Sequence, residues 1–168
     1  MRVRSQRGQA AVETALVIPL LMLALFGAYQ IGRLLYIYHI LQKAMRGGAQ
    51  HVIRLQGVNF CDSADPALFD AKNFIVYGNL QGAGEPIVAG LTTEMIQFFP
   101  ERGDPASTLV ADCPCSGDGH CDVLSGGRPP DYVTVQLPSG FPVDLTFPLI
   151  RLGTITLRVS VRQPFLGA

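Results

Sequence analysis

From Thr14 to Gly32 the chain runs 19 residues without a charge. No other stretch limits the fold as much. At about 1.5 Å per residue a helix of this length covers roughly 28 Å, close to the ~30 Å hydrocarbon thickness of a bilayer. Arg2, Arg4 and Arg7 precede the run, and the positive-inside bias assigns the N-terminus to the cytoplasm. The rest of the chain is then expected across the membrane. A secretory signal peptide shares the basic start and apolar core, but this run is longer than such a core. No small-x-small cleavage site follows it, because Phe26 stands where a small residue is needed in Leu25-Phe26-Gly27-Ala28.

Inside the run, Ala24, Ala28 and Gly32 recur every fourth residue and form a small-residue ridge on one side of a helix. Ala11 and Ala15 share that spacing. Small residues are common in membrane helices generally. A single span has no internal partner for a ridge, however, so the pattern favours self-association or docking on another membrane helix. Pro19 lacks an amide donor and is expected to loosen the helix one turn upstream.

Glu13 stands immediately before the run, five residues after Gly8. A carboxylate at the bilayer centre costs about 2.5–3.5 kcal/mol and less near the interface. One reading leaves Glu13 at the cytoplasmic interface, favoured by the helix dipole. The other makes Gly8 a processing point: a cut after it exposes a cationic α-amine on Gln9, four residues from Glu13. That amine pairs with its own chain's carboxylate or a neighbour's.

The stretch Arg7-Gly8-Gln9-Ala10-Ala11-Val12-Glu13-Thr14-Ala15-Leu16-Val17-Ile18-Pro19-Leu20-Leu21 resembles the N-terminus of TadE-like proteins, minor pilins or pseudopilins of the tight-adherence (Tad, or Flp) branch of type IV pili. The resemblance continues through Gly27, Gly32-Arg33 and the segment Leu41–Ala49, and extends loosely to the C-terminal strands. In that family a prepilin peptidase cuts after the glycine, and the glutamate is the fifth residue of the product. Gly8, Gln9 and Glu13 fit this spacing; Thr14 stands where the family often has Phe. The resemblance implies that Gly8 and Gln9 flank the cut, that Glu13 sets subunit register, and that Ala24, Ala28, Gly32 and Pro19 serve helix packing. The implied partners are the prepilin peptidase, other Tad pilins or pseudopilins, the inner-membrane assembly platform and membrane lipid.

Beyond the membrane, Leu34, Leu35, Ile37, Tyr38, Leu41 and Met45 recur at spacings of three and four, interspersed with Arg33, His39, Gln42, Lys43 and Arg46. The helix is expected to continue to about Ala44–Arg46. Gly47-Gly48 either ends it or interrupts it before Ala49–Leu55 resumes, with Gly57 as the stop. A helix from Ala10 to Arg46 is roughly 55 Å long, and its outer half needs a surface to rest on. Tyr36, Tyr38 and His39 suit the outer interface.

The organisation expected is a basic leader (1–8), a membrane part of the long helix (9–32), its amphipathic continuation (33–56) and a β-rich extracytoplasmic domain (57–168). The fold class is α+β and pilin-like: a long N-terminal membrane-spanning helix packed at its outer half on a small antiparallel sheet. Alternation points to strands at Asp131–Leu137, Val143–Phe147 and Thr154–Val161, the first two forming a hairpin across Pro138–Pro142. In the last, Ile155, Leu157, Val159 and Val161 share one face. Asn73–Tyr77 reads as a short strand, Thr92–Phe99 as a short helix closed by Pro100, and Thr108–Ala111 as an extra strand. With 18 glycines and 12 prolines, the domain is expected to be rich in turns.

Cys61, Cys113, Cys115 and Cys121 all fall in the extracytoplasmic part, where two disulfides are the default. A Cys113–Cys115 bridge would close a very tight ring over Pro114, so Cys61 is expected to reach Cys113 or Cys115, and Cys121 the other. Cys113, Cys115, His120 and Cys121 also make a nominal zinc set, but the spacing is irregular and no metal is expected. Asp112, Asp118 and Asp122 lack the regular spacing of a calcium loop.

The chain carries 13 basic and 13 acidic residues, which gives no footprint for nucleic acid. Loss of residues 1–8 would remove three arginines and leave 10 basic against 13 acidic. There is no phosphate-cradling glycine loop, no H-E-x-x-H and no G-x-S-x-G. A non-enzymatic protein without cofactors is expected. The alternative to a pilus subunit is a single-span anchored module whose cysteine-stapled domain binds or senses a ligand.

Overall fold

The computed structural model describes residues 6–103, 110–146 and 151–166. Arg2 and Arg4 of the leader, Thr108 and Phe147 lie outside these.

Helix α1 spans Gln6–Val52, 47 residues, or about 70 Å. It passes through Pro19 and also through Gly47-Gly48, where the sequence pattern gave it an end or an interruption. The reason lies in helix α2 (Pro66–Tyr77), which crosses α1 at the two glycines. A methyl at Gly48 would meet Ile75 Cγ1 at 2.3 Å and the Ala71 carbonyl at 3.1 Å, and one at Gly47 would meet Phe74 Cε1 at 2.9 Å. The pair is a contact surface, and its packing outweighs the roughly 1 kcal/mol that each glycine costs a helix.

Helix α2 replaces the strand expected at Asn73–Tyr77. Asp65 caps it by accepting from the Ala67 amide at 2.8 Å, and Pro66 occupies the first turn. Gly78 closes it in the left-handed conformation, its amide donating to the Phe74 carbonyl at 2.9 Å. The β-branched and aromatic run is therefore the end of a helix whose Leu68, Ala71 and Ile75 recur at helical spacing and are buried.

Four strands form an antiparallel sheet in the order β2 (Val110–Asp112), β1 (Gln97–Gly103), β3 (Tyr132–Gln136), β6 (Ser160–Pro164). Strand β1 takes residues assigned above to a helix. Only a single 3-10 turn forms, at Thr93–Met95, and Thr92 makes no side-chain cap bond. Pro100 is tolerated inside β1 because its carbonyl accepts from Cys113 N at 2.9 Å. Its nitrogen therefore faces the β2 side, away from the ladder to Val133. Strand β2 begins at Val110, the described part of the extra strand expected at Thr108–Ala111.

The expected hairpin of Asp131–Leu137 with Val143–Phe147 is corrected. Strand β4 (Phe141–Thr146) pairs with β5 (Arg151–Leu157) in a separate two-stranded ribbon. The edge of β3 goes to β6 instead. The turn at 138–142 does form, with Gly140 N donating to Leu137 O at 3.0 Å. Gly140 has φ +69° and sits so close to β5 that an added methyl would lie 2.3 Å from Thr156 Cγ2. The alternating run Thr154–Val161 is thus two strands. Val159 and Val161 are buried in the core, whereas Ile155 is 42% exposed.

The outer half of α1 lies on β3 and β6. Leu41, Met45, Ala49 and Val52, at helical spacing, are all fully buried. Each of the larger three contributes about 1.5–3 kcal/mol by burial. Around Leu41, Met45 and Ala49 gather Ile75, Leu91, Ile96, Val135 and Phe141. Around Val52 gather Ile53, Phe60, Leu68, Ala71 and Val133. The result is a long apolar N-terminal helix with its far half seated on a small antiparallel sheet, an α+β arrangement.

Candidate functional site

The residues singled out in the first part of α1 share one property: every side chain described from Gly8 to Phe26 is exposed. Gly8, Gln9 and Glu13 lie in the first turns of α1. Gln9 and Glu13 are four residues apart, one helical turn, and so share a face. Two irregularities follow. Thr14 Oγ1 donates to the Ala10 carbonyl at 2.8 Å, a back-bond that mildly weakens a helix. Pro19 cannot donate to the Ala15 carbonyl one turn upstream.

Ala24, Ala28 and Gly32 are likewise exposed. An added methyl at Gly27 or Gly32 would meet nothing within 4 Å. The ridge has no partner in its own chain among the described residues. An 18-residue window of this helix has a mean hydropathy of 2.1 and no buried share, which fits a single-pass membrane anchor. It is the one helix among the described residues long and apolar enough to cross a bilayer.

The four cysteines sit at the opposite end of the molecule's long element, in two bridges: Cys61–Cys115 and Cys113–Cys121. This is one of the two arrangements left open above. With all four sulfurs in bridges, the nominal zinc set of Cys113, Cys115, His120 and Cys121 offers no thiolate. Cys61–Cys115 ties the segment after α1 to the cysteine loop across 54 residues.

Arg102, which the sequence did not mark, organises that loop. Its guanidinium donates to the carbonyls of Gly119 and Arg128 and lies 3.2 Å from Cys121 Sγ. The buried Asn59 links the other side, donating from Nδ2 to Asp122 at 3.0 Å. Asp122 also accepts from Ser125 Oγ at 2.7 Å and from the Leu124 and Ser125 amides. These bonds hold its carboxyl below the ordinary value of 3.8. The Ser125 hydroxyl is the largest cause, and desolvation opposes it. Asp122 is therefore a capping group of a loop. The sequence signal that could have revealed it is an Asp three residues before a Ser that Gly126 follows; in the structure Gly126 closes the turn at φ +86°.

Comparison with known proteins bears on the helix. Residues 8–50 of the 168 match the family model described as TadE-like protein. The match contains Gly8, Gln9, Glu13, Pro19, the ridge and the Gly47-Gly48 contact. It stops before the first cysteine and does not reach the C-terminal strands. No curated protein and no solved structure is significantly similar to the chain.

Proposed function

We infer from the TadE-like match of residues 8–50 that this chain is a Tad pilus protein, a minor pilin or pseudopilin acting in assembly of a Tad-type pilus. A prepilin peptidase cuts it after Gly8. Gln9 then becomes the N-terminus, and Glu13, on the same helical face, offers a carboxylate to that amine or to the amine of a neighbouring subunit. The segment before the cut stays in the cytoplasm, α1 crosses the inner membrane, and the disulfide-bonded domain stands outside. The exposed ridge packs against other Tad pilins or the assembly platform.

The observation that carries this reading is the placement of a matched Gly8-x4-Glu13 at the exposed start of a helix whose apolar first half has its surface open to other molecules. The same surface in an anchor with no assembly role would need only to be apolar.

The test is the N-terminal residue and intact mass of the chain co-expressed with a Tad prepilin peptidase. A product that begins at Gln9, and is lost in Gly8→Ala, supports the assignment. A chain that still begins at Met1 beside active peptidase would contradict it and leave the anchored binding or sensing module.

A further inference from the structure

The two disulfides differ in what can reach them. Cys113 and Cys121 are buried, 6% and 0% exposed. Arg102 Nη2 lies 3.2 Å from Cys121 Sγ, and the Gly119 carbonyl lies 3.9 Å from Cys113 Sγ. A thiolate from outside meets that bridge only when the loop opens. Cys115, in contrast, is exposed and Cys61 half-buried. Both line one cleft of about 310 Å³, so the Cys61–Cys115 bridge is part of an accessible wall.

The rest of the cleft is apolar with one charge of each sign. Phe60, Ile96, Phe98 and Phe99 supply the apolar surface. Phe60 is held by an edge-to-face contact with Phe165, ring centres 5.4 Å apart. Lys72 of α2 is half-buried and Glu94 is exposed. A cation beside a disulfide favours both the approach of one thiolate and the departure of another. The apolar walls suit a protein segment around a reactive cysteine, which a small polar thiol does not offer.

Opening this bridge leaves its halves in place. Asn59 Oδ1 accepts from the Cys61 amide at 3.0 Å, and Asn59 Nδ2 donates to Asp122 of the cysteine loop at 3.0 Å. Asn59 therefore keeps Cys61 beside that loop without a covalent tie. The Cys113–Cys121 bridge keeps the loop itself closed around Cys115. Opening and closing need no unfolding.

We propose that the Cys61–Cys115 bridge is a thiol–disulfide exchange site for a dithiol protein that seats its reactive cysteine in this cleft. The partner's thiolate attacks Cys115 Sγ, a mixed disulfide forms, and Cys61 leaves as a thiolate. The partner's second thiolate then attacks the partner's own sulfur in the mixed disulfide, and Cys115 leaves as a thiolate. Two electrons pass from the partner's dithiol to the bridge, and the reverse sequence closes it. Its use in the cell rests on the reading that this domain stands outside the cytoplasm, and not on cleavage or pilus assembly. The chemistry itself is tested on the purified chain, independently of that reading.

The experiment uses the full oxidised chain in detergent, without denaturant. Reduced thioredoxin is added, and the cysteines freed over time are alkylated and mapped by mass. Cys61 and Cys115 should be freed about tenfold faster than Cys113 and Cys121, because the buried pair reacts only through opening. Thioredoxin lacking its resolving cysteine should be trapped on Cys115. Dithiothreitol, a small dithiol, measures plain exposure. Each reductant's rate is divided by its rate on an unstructured disulfide peptide, and the quotient should be larger for thioredoxin. Lys72→Gln should slow thioredoxin by about two- to fivefold, the scale of one exposed charge pair, with the Cys113–Cys121 rate unchanged as the control for folding. Equal rates at the two bridges, an adduct trapped on Cys113 or Cys121, or no cysteine freed from the folded chain overturns the site. Equal quotients for the two reductants, or an unchanged rate in Lys72→Gln, overturns the cleft as the seat of a protein thiol.

Discussion

At Gly48 an added methyl would lie 2.3 Å from Ile75 Cγ1, whereas at Gly32, earlier on the same helix, it would meet nothing within 4 Å. Both glycines belong to the segment with TadE-like character. The outer one lets α2 approach α1 and is used up inside the fold. The inner one, with Ala24 and Ala28, forms an exposed small-residue surface that no described residue of this chain covers. One helix thus carries two small-residue surfaces, one in contact inside the fold and one exposed. Spacing alone does not separate them; what separates them is whether a second element of the same chain arrives at that height.

The sharpest way to break this comparison is valine at each glycine. Gly48→Val should destabilise the domain by about 3 kcal/mol or more, because the Ala71 carbonyl is main chain and cannot step aside. Gly32→Val should leave domain stability within about 0.5 kcal/mol. Denaturant unfolding of the two variants in detergent decides it, and equal effects would dissolve the distinction.

The disulfides refine the outer side. Chain entropy assigns about 4 kcal/mol to a loop of the Cys61–Cys115 separation and about 2.5 kcal/mol to that of Cys113–Cys121. The Cys61→Ser/Cys115→Ser pair should therefore lower the unfolding midpoint further than the Cys113→Ser/Cys121→Ser pair. The reverse order would mean that the buried Cys121, beside Arg102, matters more through packing than through loop closure.

The smallest expected effect lies at Asp122. Its folded-state pKa is lowered, so its contribution is fully present above the ordinary value of 3.8 and disappears as pH falls through the lower folded value. A stability–pH profile should lose part of its acid-side slope in Asp122→Ala. A slope unaffected by Asp122→Ala would show that the bonds to this carboxylate contribute nothing to the domain's acid stability.

The legibility of these features in the sequence follows the range of the interactions. The apolar run, the Leu41–Met45 stripe and the strand at 131–137 are set by local periodicity and could be read directly. The helix through Gly47-Gly48 could not, since its continuity depends on Ile75 and Phe74 arriving from α2. The strand assignment at Asn73–Tyr77 failed for a related reason: β-branched residues follow whichever period their neighbours bury, and here Leu68, Ala71 and Ile75 set it. The Asp65-Pro66 start was a local signal that outweighed them. Strand pairing was the least legible, because the turn at 138–142 has the chemistry of a hairpin while β6 takes the edge of β3. Among the candidate site residues, Gly8, Glu13 and the ridge stood out through spacing. Arg102, Asn59 and Asp122 did not, since their partners lie far away in sequence.

The claim that the inner half of α1 is an intermolecular surface is tested most directly by cysteine cross-linking in the native membrane. A cysteine at Ala28 on the ridge is compared with one at Met22, about 120° away around the helix. Together with the Tad pilus components, the account predicts a covalent adduct to a second pilin-type chain from Ala28→Cys and little from Met22→Cys. Equal adducts from both positions, or none from either in a chain whose membrane insertion is verified, would contradict it.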